Sequence, residues 1–159
     1  MMTDVTTVNR TDDEIDEAKT MTGGAKNGLK EAALSVVRIV VAFLFMCHGT
    51  MGQFGWFGGI DGQGSAVPVG SWPGWYGSLI ELVAGGLVLL GLFTRPAAIL
   101  CSGAMAYAYF VVHQPEGLLP LQNMGEQAAL YSWIFLLFGI LGPGSFAVDS
   151  LIRRGRKAA

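Results

Sequence analysis

Four long apolar segments, residues 33–54, 75–93, 96–113 and 126–141, dominate this chain. Each segment reaches or approaches the roughly 20 residues that a helix needs to cross about 30 Å of hydrocarbon. The runs are continuous rather than alternating with a period of two, and lipid offers no hydrogen-bond partner to backbone amides outside a helix or a closed barrel. The segments therefore predict an all-α integral membrane protein, a four-helix bundle.

The composition agrees with one small membrane domain. Hydrophobic residues make up 52% of the 159 residues and charged residues only 14%. Most charges lie at the ends, because six acidic residues fall within the first 17 positions and four basic residues follow position 152. We predict a disordered acidic cytoplasmic tail over residues 1–30, a four-span domain over residues 31–152 and a basic cytoplasmic tail over residues 153–159.

The placement of lysine and arginine predicts the orientation of the spans. Arg38 and two lysines precede or open the first span, Arg95 lies between the second and third spans, and the basic tail follows the fourth. The other two connections, residues 55–74 and 114–125, contain neither residue type. Because positive charge stays on the cytoplasmic side, both termini are predicted to be cytoplasmic, an N-in/C-in arrangement with the two longer connections outside.

Ionisable side chains lie within or at the edge of every span: Arg38, His48, Glu81, His113 and Glu126. A charge at mid-bilayer costs from about 2.5 to over 10 kcal/mol, so each needs a partner, a hydrated site or a place at the membrane edge. In the predicted topology, His48 and Glu81 lie at similar depth in the outer half of the first two spans. His48 is too short to reach the interface, and Glu81 must be neutral or paired with a cation. These two residues are the hardest to explain structurally.

Two charges on the predicted cytoplasmic side have a structural explanation. Arg38 lies one to two turns from the inner end of the first span. It can reach the inner headgroups on its long stem or form a buried ion pair. Asp149, which follows the fourth span on the same side, is its best candidate partner.

The external ends of the third and fourth spans carry further candidates. Tyr109 and His113 share one predicted stripe of the third span with two small residues, at spacings of four, three and four. A histidine at a helix end also interacts favourably with the helix dipole. Glu126 follows Asn123 by three residues, a capping-box pattern that places its carboxylate in the first turn of the fourth span. All three candidates share a membrane side with the two deeper residues.

Glycines recur at helix-packing spacings in the first two spans: Gly49, Gly52, Gly55, Gly85, Gly86 and Gly91. Such small residues let two membrane helices approach closely. The two cysteines are isolated in different spans and predict neither a disulfide nor a metal site. A nucleotide-binding glycine loop, a catalytic triad order and a metal-ligand run are all missing from the sequence, so no intrinsic cofactor is predicted.

Several short motifs follow one another along all four segments: Arg38, His48-Gly49, Phe54-Gly55-Trp56-Phe57, Glu81, Gly85-Gly86, Gly91, Thr94-Arg95-Pro96-Ala97-Ala98, His113, Gly125-Glu126, Leu130-Tyr131, Gly142-Pro143-Gly144 and Asp149. In order and spacing, over residues 34–151, they resemble the DoxX family of small bacterial and archaeal membrane proteins. The resemblance implies a four-helix protein of the plasma membrane. This sequence departs from the family pattern at Gly52 and Gln53, where relatives often carry a lysine.

The resemblance also implies a link with membrane redox assemblies, among them a thiosulfate:quinone oxidoreductase subunit and a complex that couples superoxide defence with thiol metabolism. We therefore expect a membrane-integral subunit of a redox or respiratory assembly that binds a quinone or assists its proton exchange. The candidate site residues are His48, Glu81, His113, Glu126 and Tyr109. Histidine and a buried carboxyl group can supply the protons that quinone reduction needs.

An alternative from another class is a non-catalytic accessory or scaffold subunit, in which the polar groups hold short helices together and the acidic tail docks a partner. Nothing in the sequence can carry electrons, so the chain is at most a non-electron-carrying subunit of an oxidoreductase complex. Both functions predict membrane lipid and protein subunits as partners, and neither involves nucleic acid.

Overall fold

In a computed structural model of the protein, the backbone is described for residues 5–158 and the side chains for residues 23–152 and 155. Every named secondary-structure element in this part of the chain is a helix, which confirms the predicted all-α class. The α-helices are α1 (Val5–Phe54), α2 (Gly74–Leu90), α3 (Thr94–Tyr107), α4 (Glu126–Leu141) and α5 (Val148–Ala158). A short 3-10 helix, Trp56–Gly58, follows α1.

The third helix changes its winding before it ends. It continues from α3 through a π-helical turn, Ala108–His113, and then a 3-10 turn, Gln114–Glu116. A π turn bonds residues five apart rather than four, so it rotates the following side chains relative to an α-helical register. This change matters for the position of His113.

Two helical stretches are long and apolar enough to cross a membrane, judged by length and composition: Gly23–Phe54, with 32 residues, and Thr94–Glu116, with 23 residues. The other apolar helices, α2 and α4, have 17 and 16 residues. At 1.5 Å per residue, 16 residues extend only about 24 Å, slightly less than the hydrocarbon core. The apolar membrane helices are thus supported, while four crossings and the N-in/C-in orientation stay predictions.

Both ends of the chain continue into helices where the sequence predicts tails. The backbone is helical from Val5 onward, within the predicted disordered segment 1–30, whose first four residues lie outside the described part. Extending an existing helix is much easier than nucleating one, because each added residue gains a hydrogen bond. The predicted basic tail, 153–159, is helical as far as Ala158, and its side chains lie outside the described residues.

The helices pack in sequence, α1 on α2, α2 on α3 and α3 on α4. Phe45 of α1 and Phe135 of α4 are buried, with their ring centroids 4.5 Å apart. Large apolar side chains cover the outer faces: Val36, Val40, Phe43, Val83, Leu100, Val111, Leu130, Trp133 and Leu137. An outer surface of this kind suits lipid, because a soluble protein rarely exposes a large continuous apolar area.

Glycine allows α1 and α2 to approach closely, as the spacings predicted. A Cβ atom added at Gly49 would lie 2.5 Å from the backbone nitrogen of Leu82, and one added at Gly52 would lie 2.5 Å from Cβ of Ser78. Cβ atoms do not come this close to neighbouring atoms, so any larger residue requires the helices to move apart. The prediction that these glycines serve tight helix packing is confirmed.

Arg38 is completely buried and ties α1 to the end of α2 and to the segment between α4 and α5. Its guanidinium donates hydrogen bonds to the carbonyl oxygens of Val88, Leu89 (2.8 Å) and Phe146 (2.6 Å). The last carbonyl groups of a helix lack partners within it and carry partial negative charge, so they attract a cation. Arg38 therefore satisfies the C-terminal end of α2 rather than extending to the headgroups.

Asp149 stabilises the opposite kind of helix end. Its carboxylate accepts hydrogen bonds from the backbone amides of Phe93 and Thr94, each 3.1 Å away, at the start of α3. These amides have no partner within the helix and carry partial positive charge. The hydrogen bonds therefore do not show the predicted direct ion pair between Arg38 and Asp149. Arg38 binds the C-terminal end of α2, and Asp149 binds the N-terminal end of α3.

Candidate functional site

A cavity of about 320 Å³ lies between α1, the 55–74 connection, α2 and α3, and we call it the apolar cavity. Its walls are mostly aliphatic and aromatic, with His48 and Glu81 among the few groups that can carry charge. Small-molecule sites typically have volumes of about 300–1,000 Å³ and apolar walls with a few well-placed polar groups. The cavity therefore has the size and composition of a ligand pocket.

A smaller cavity of about 160 Å³ adjoins the first and extends to α4, and we call it the polar chamber. Its polar lining residues are His48, Glu81, His113, Gln127 and Tyr131. Four residues line both cavities: His48, Glu81, Met105 and Ala108. The two residues that sequence reasoning found hardest to explain thus form part of the wall between an apolar and a polar space.

His48 and Glu81 reach this wall because the glycine face of α1 packs on α2. His48 lies six residues before Phe54, the last residue of α1, and Glu81 lies seven residues after Gly74, the first residue of α2. At 1.5 Å per residue, each is about 10 Å from its helix end, in agreement with the predicted similar depth. The two side chains line the same two cavities.

Tyr131 belongs to the wall of the polar chamber but was not among the predicted site residues. Its ring centroid lies 6.1 Å from that of His48, with the two rings at 78°. It also packs against Phe45, with the ring centroids 5.1 Å apart. The signal available in the sequence was the spacing of Ala128, Tyr131 and Phe135, which is three and four residues and marks one helix face.

His113 lies in the polar chamber because the π turn changes its direction. An α-helical register places it on a stripe with Tyr109, whereas a π turn brings it towards the face of Ala108, five residues earlier, which also lines the chamber. Nδ1 of His113 is 3.1 Å from the carbonyl oxygen of Asn123. Since a carbonyl oxygen only accepts, Nδ1 donates, and Nε2 is left to accept a proton.

Tyr109 lines a different space from the other candidates. It borders a groove between α3 and α4 together with Ser102 and Ala106, as the predicted stripe requires. It lines neither the apolar cavity nor the polar chamber. The structure therefore separates Tyr109 from His48 and Glu81.

Glu126 is exposed and also lines neither cavity. It is the first residue of α4, whose N-cap is Gly125, and no side chain caps this helix end. Oδ1 of Asn123 accepts instead from the amide of Gly125 at 2.8 Å, two residues further on. The predicted capping box is therefore wrong, because the short Asn123 side chain closes its own turn before the helix begins.

Aromatic side chains far apart in the sequence meet at the rim of the apolar cavity. Nε1 of Trp72, in the 55–74 connection, donates to the hydroxyl oxygen of Tyr107 on α3 at 3.2 Å. Their ring centroids are 5.6 Å apart, and both side chains line the cavity. The contact joins the connection to a residue of α3 that lies 35 positions further along the chain, a separation that no local sequence pattern reports.

Gln53, the next-to-last residue of α1, hydrogen-bonds to α2. Its Nε2 atom donates to the carbonyl oxygen of Trp75 at 2.9 Å and to the hydroxyl of Ser78 at 2.8 Å. Both acceptors lie in the first turns of α2. In this chain the position therefore joins α1 to α2 through a neutral amide.

Asp61 organises the connection that covers the apolar cavity. Its carboxylate accepts from the Ser65 hydroxyl at 2.6 Å and from the backbone amides of Gln63 and Ser65 at 2.8 and 3.2 Å. These hydrogen bonds, that of the Ser65 hydroxyl first, hold the pKa of Asp61 below its ordinary value. The neighbouring Ile60 and Val67 contribute to the cavity wall.

Because the pKa of Asp61 is lower in the folded connection, its stabilising effect is present above the pKa of the unfolded chain and is lost as the pH falls through the folded value. We expect the protection factors of the Gln63 and Ser65 amides against hydrogen exchange to fall over that acidic range. Asp61→Asn should give the same loss at neutral pH. Protection that stays constant with pH and in this variant would contradict the role given to Asp61.

Comparison with known proteins identifies relatives over most of the chain. The DoxX family model matches residues 33–114. An uncharacterized protein of Haemophilus influenzae is 42% identical over 120 residues, which cover 74% of this chain and 88% of that protein. Inner membrane protein YqjF of Escherichia coli K12 is 30% identical over 131 residues, covering 79% of this chain and 96% of that protein. No solved structure gives a significant match.

Proposed function

Since the chain belongs to the DoxX family of membrane proteins, we propose that it lies in a bacterial inner membrane and binds a quinone headgroup in the apolar cavity, as a subunit of a redox or respiratory assembly. The inner-membrane location is supported by the Escherichia coli relative, which is named an inner membrane protein. The observation that carries the ligand proposal is the position of His48 and Glu81 on an otherwise mostly apolar wall.

The chemistry of a quinone suits this wall. A quinone ring is flat and apolar apart from its carbonyl oxygens, which accept hydrogen bonds. Reduction to the quinol adds electrons and protons in equal number and converts each carbonyl into a hydroxyl group. An electron-donating partner subunit supplies the electrons, while His48 and Glu81 hydrogen-bond the ring oxygens and exchange the protons.

The proposal includes the four-span, N-in/C-in topology. It is supported by the arginine of the α2–α3 turn and by the lack of lysine and arginine in the 55–74 and 114–125 connections. In this orientation the apolar cavity lies in the outer half of the membrane, covered by the 55–74 connection. A lipid-soluble ligand then reaches the cavity from the bilayer.

Quinone that is co-extracted with the purified protein tests the ligand. A buried polar group left without its hydrogen-bond partner costs about 1–3 kcal/mol, so we expect Glu81→Ala or His48→Ala to reduce the quinone retained per protein about tenfold. Glu126→Ala is the matched control, because it makes the same change at an exposed position outside both cavities. Each variant must keep the helical content and detergent elution volume of the wild type.

Wild-type protein that never retains quinone, alone or with its partners, would remove the quinone proposal and favour the non-catalytic accessory subunit.

The redox assembly has a separate test. Tagged full-length protein, extracted in mild detergent, should co-purify with at least one subunit that holds a redox cofactor. An isolated assembly without any such subunit would contradict the redox role.

A further inference from the structure

The polar chamber leads from the wall of the apolar cavity to the end of the helix bundle. Its inner part is bordered by Glu81 and Tyr131, and its outer part by Met124 and Gln127. Met124 is 82% exposed and Gln127 is also exposed, so this part of the chamber lies at the protein surface. The chamber therefore spans the depth between the α3–α4 connection and the Glu81 carboxylate.

The size and lining of the chamber suit water. A single water molecule needs about 10–15 Å³ and two to four polar partners. The chamber has a volume of about 160 Å³. Four of the elements around it contribute polar groups: His48 from α1, Glu81 from α2, His113 from the π turn, and Gln127 and Tyr131 from α4. We infer that the polar chamber is a water-filled passage that connects Glu81 and His48 to the surface at the α3–α4 connection.

The use of this passage for proton exchange rests on the proposed quinone function. A ligand in the apolar cavity must release or take up protons without opening that cavity to water. Since Glu81 and His48 line both spaces, protons can pass from a ring oxygen to either side chain and then to water in the chamber. Nδ1 of His113 donates to the Asn123 carbonyl, so Nε2 is free to accept a proton. The His113 side chain is half-buried, beneath the exposed end of the chamber.

Two neighbouring residues of α4 allow a direct test of the water. Tyr131 lines the chamber, whereas Leu130 is 54% exposed on the outer apolar face at nearly the same depth. Single-cysteine variants Tyr131→Cys and Leu130→Cys are made in the full chain, with Cys47→Ala and Cys101→Ala as the background. Membrane vesicles are then treated with a charged, water-soluble methanethiosulfonate reagent, and the rate of labelling is measured by mass shift.

We expect the thiol in Tyr131→Cys to react about tenfold or more faster than that in Leu130→Cys, because the reactive thiolate forms where water is present. Equal rates, whether both slow or both fast, would overturn the passage. Ala128→Cys, a smaller change on the same chamber wall, repeats the test if loss of the tyrosine ring disturbs the fold. Labelling does not depend on quinone, so a dry chamber would leave the ligand proposal standing, and absence of quinone would leave the passage standing.

Discussion

Arg38→Ala is expected to lower the free energy of unfolding by about 3 kcal/mol or more, since a buried polar group left without a partner costs about 1–3 kcal/mol. In this variant the carbonyl oxygens of Leu89 and Phe146 lose their donor, while that of Val88 keeps the backbone amide of Gly91 at 3.1 Å. The substitution also empties a completely buried volume next to the α2–α3 turn. Unfolding in mixed micelles of mild detergent and dodecyl sulfate measures the change.

Arg95→Ala provides the control, because Arg95, the second residue of α3, lies beside the same turn but is exposed. Its effect should be within about 0.5 kcal/mol, as for most surface substitutions. Arg38→Lys should lie between the two, because an ammonium group cannot reproduce the planar arrangement of guanidinium donors. If Arg38→Ala proves as stable as Arg95→Ala, the carbonyl contacts of Arg38 do not hold the turn together.

Gly49→Leu should have a comparably large effect through steric overlap rather than lost hydrogen bonds. Even a Cβ atom at this position would lie 2.5 Å from the backbone nitrogen of Leu82, and backbone cannot rotate away as a side chain can. Overpacking typically costs about 1–3 kcal/mol, and we expect a value at the top of that range. Because α1 and α2 must separate here, next to His48, the variant should also lose retained quinone.

Gly103→Leu separates this steric effect from the general effect of replacing a helical glycine. A Cβ atom at Gly103 meets nothing within 4 Å, and the residue is exposed on α3. Glycine is about 0.8–1 kcal/mol less favourable in a helix than alanine, and leucine ranks close to alanine, so this variant should be slightly more stable than the wild type. The two glycine variants therefore have opposite expected signs, and a shared sign would contradict close packing of α1 on α2.

Sequence periodicity predicted residues on regular helices better than residues near irregular turns. The stripe of Ser102, Ala106 and Tyr109 is found together on one groove. His113 stays near Tyr109, since both lie against Gly125, but it also lines the chamber, because a π turn that no sequence pattern signalled brings it towards the face of Ala108. The Asn123 prediction failed for a similar local reason, since its side chain bonds within the preceding turn.

The structure also gives the ionisable residues other partners than the sequence predicted. Arg38 and Asp149 were correctly placed near one end of the bundle, but each binds a helix terminus instead of the other. Charge pairing was predicted from sign and membrane side alone. The unpaired carbonyls and amides of the α2–α3 turn were the competing partners, and they become visible only when the helix ends are located.

The sequence by itself determined the helical membrane class, the glycine face of α1 and the similar depth of His48 and Glu81. These properties depend on local quantities: the apolar length of each segment, residue spacing on a helix, and the need of every backbone amide for a partner in lipid. Only the tertiary structure decided that the two residues line both an apolar cavity and a polar chamber, and that Tyr131 belongs with them while Tyr109 and Glu126 do not. Which side chains share a cavity depends on the rotation of each helix against its neighbours, and packing across α1, α2, α3 and α4 sets that rotation.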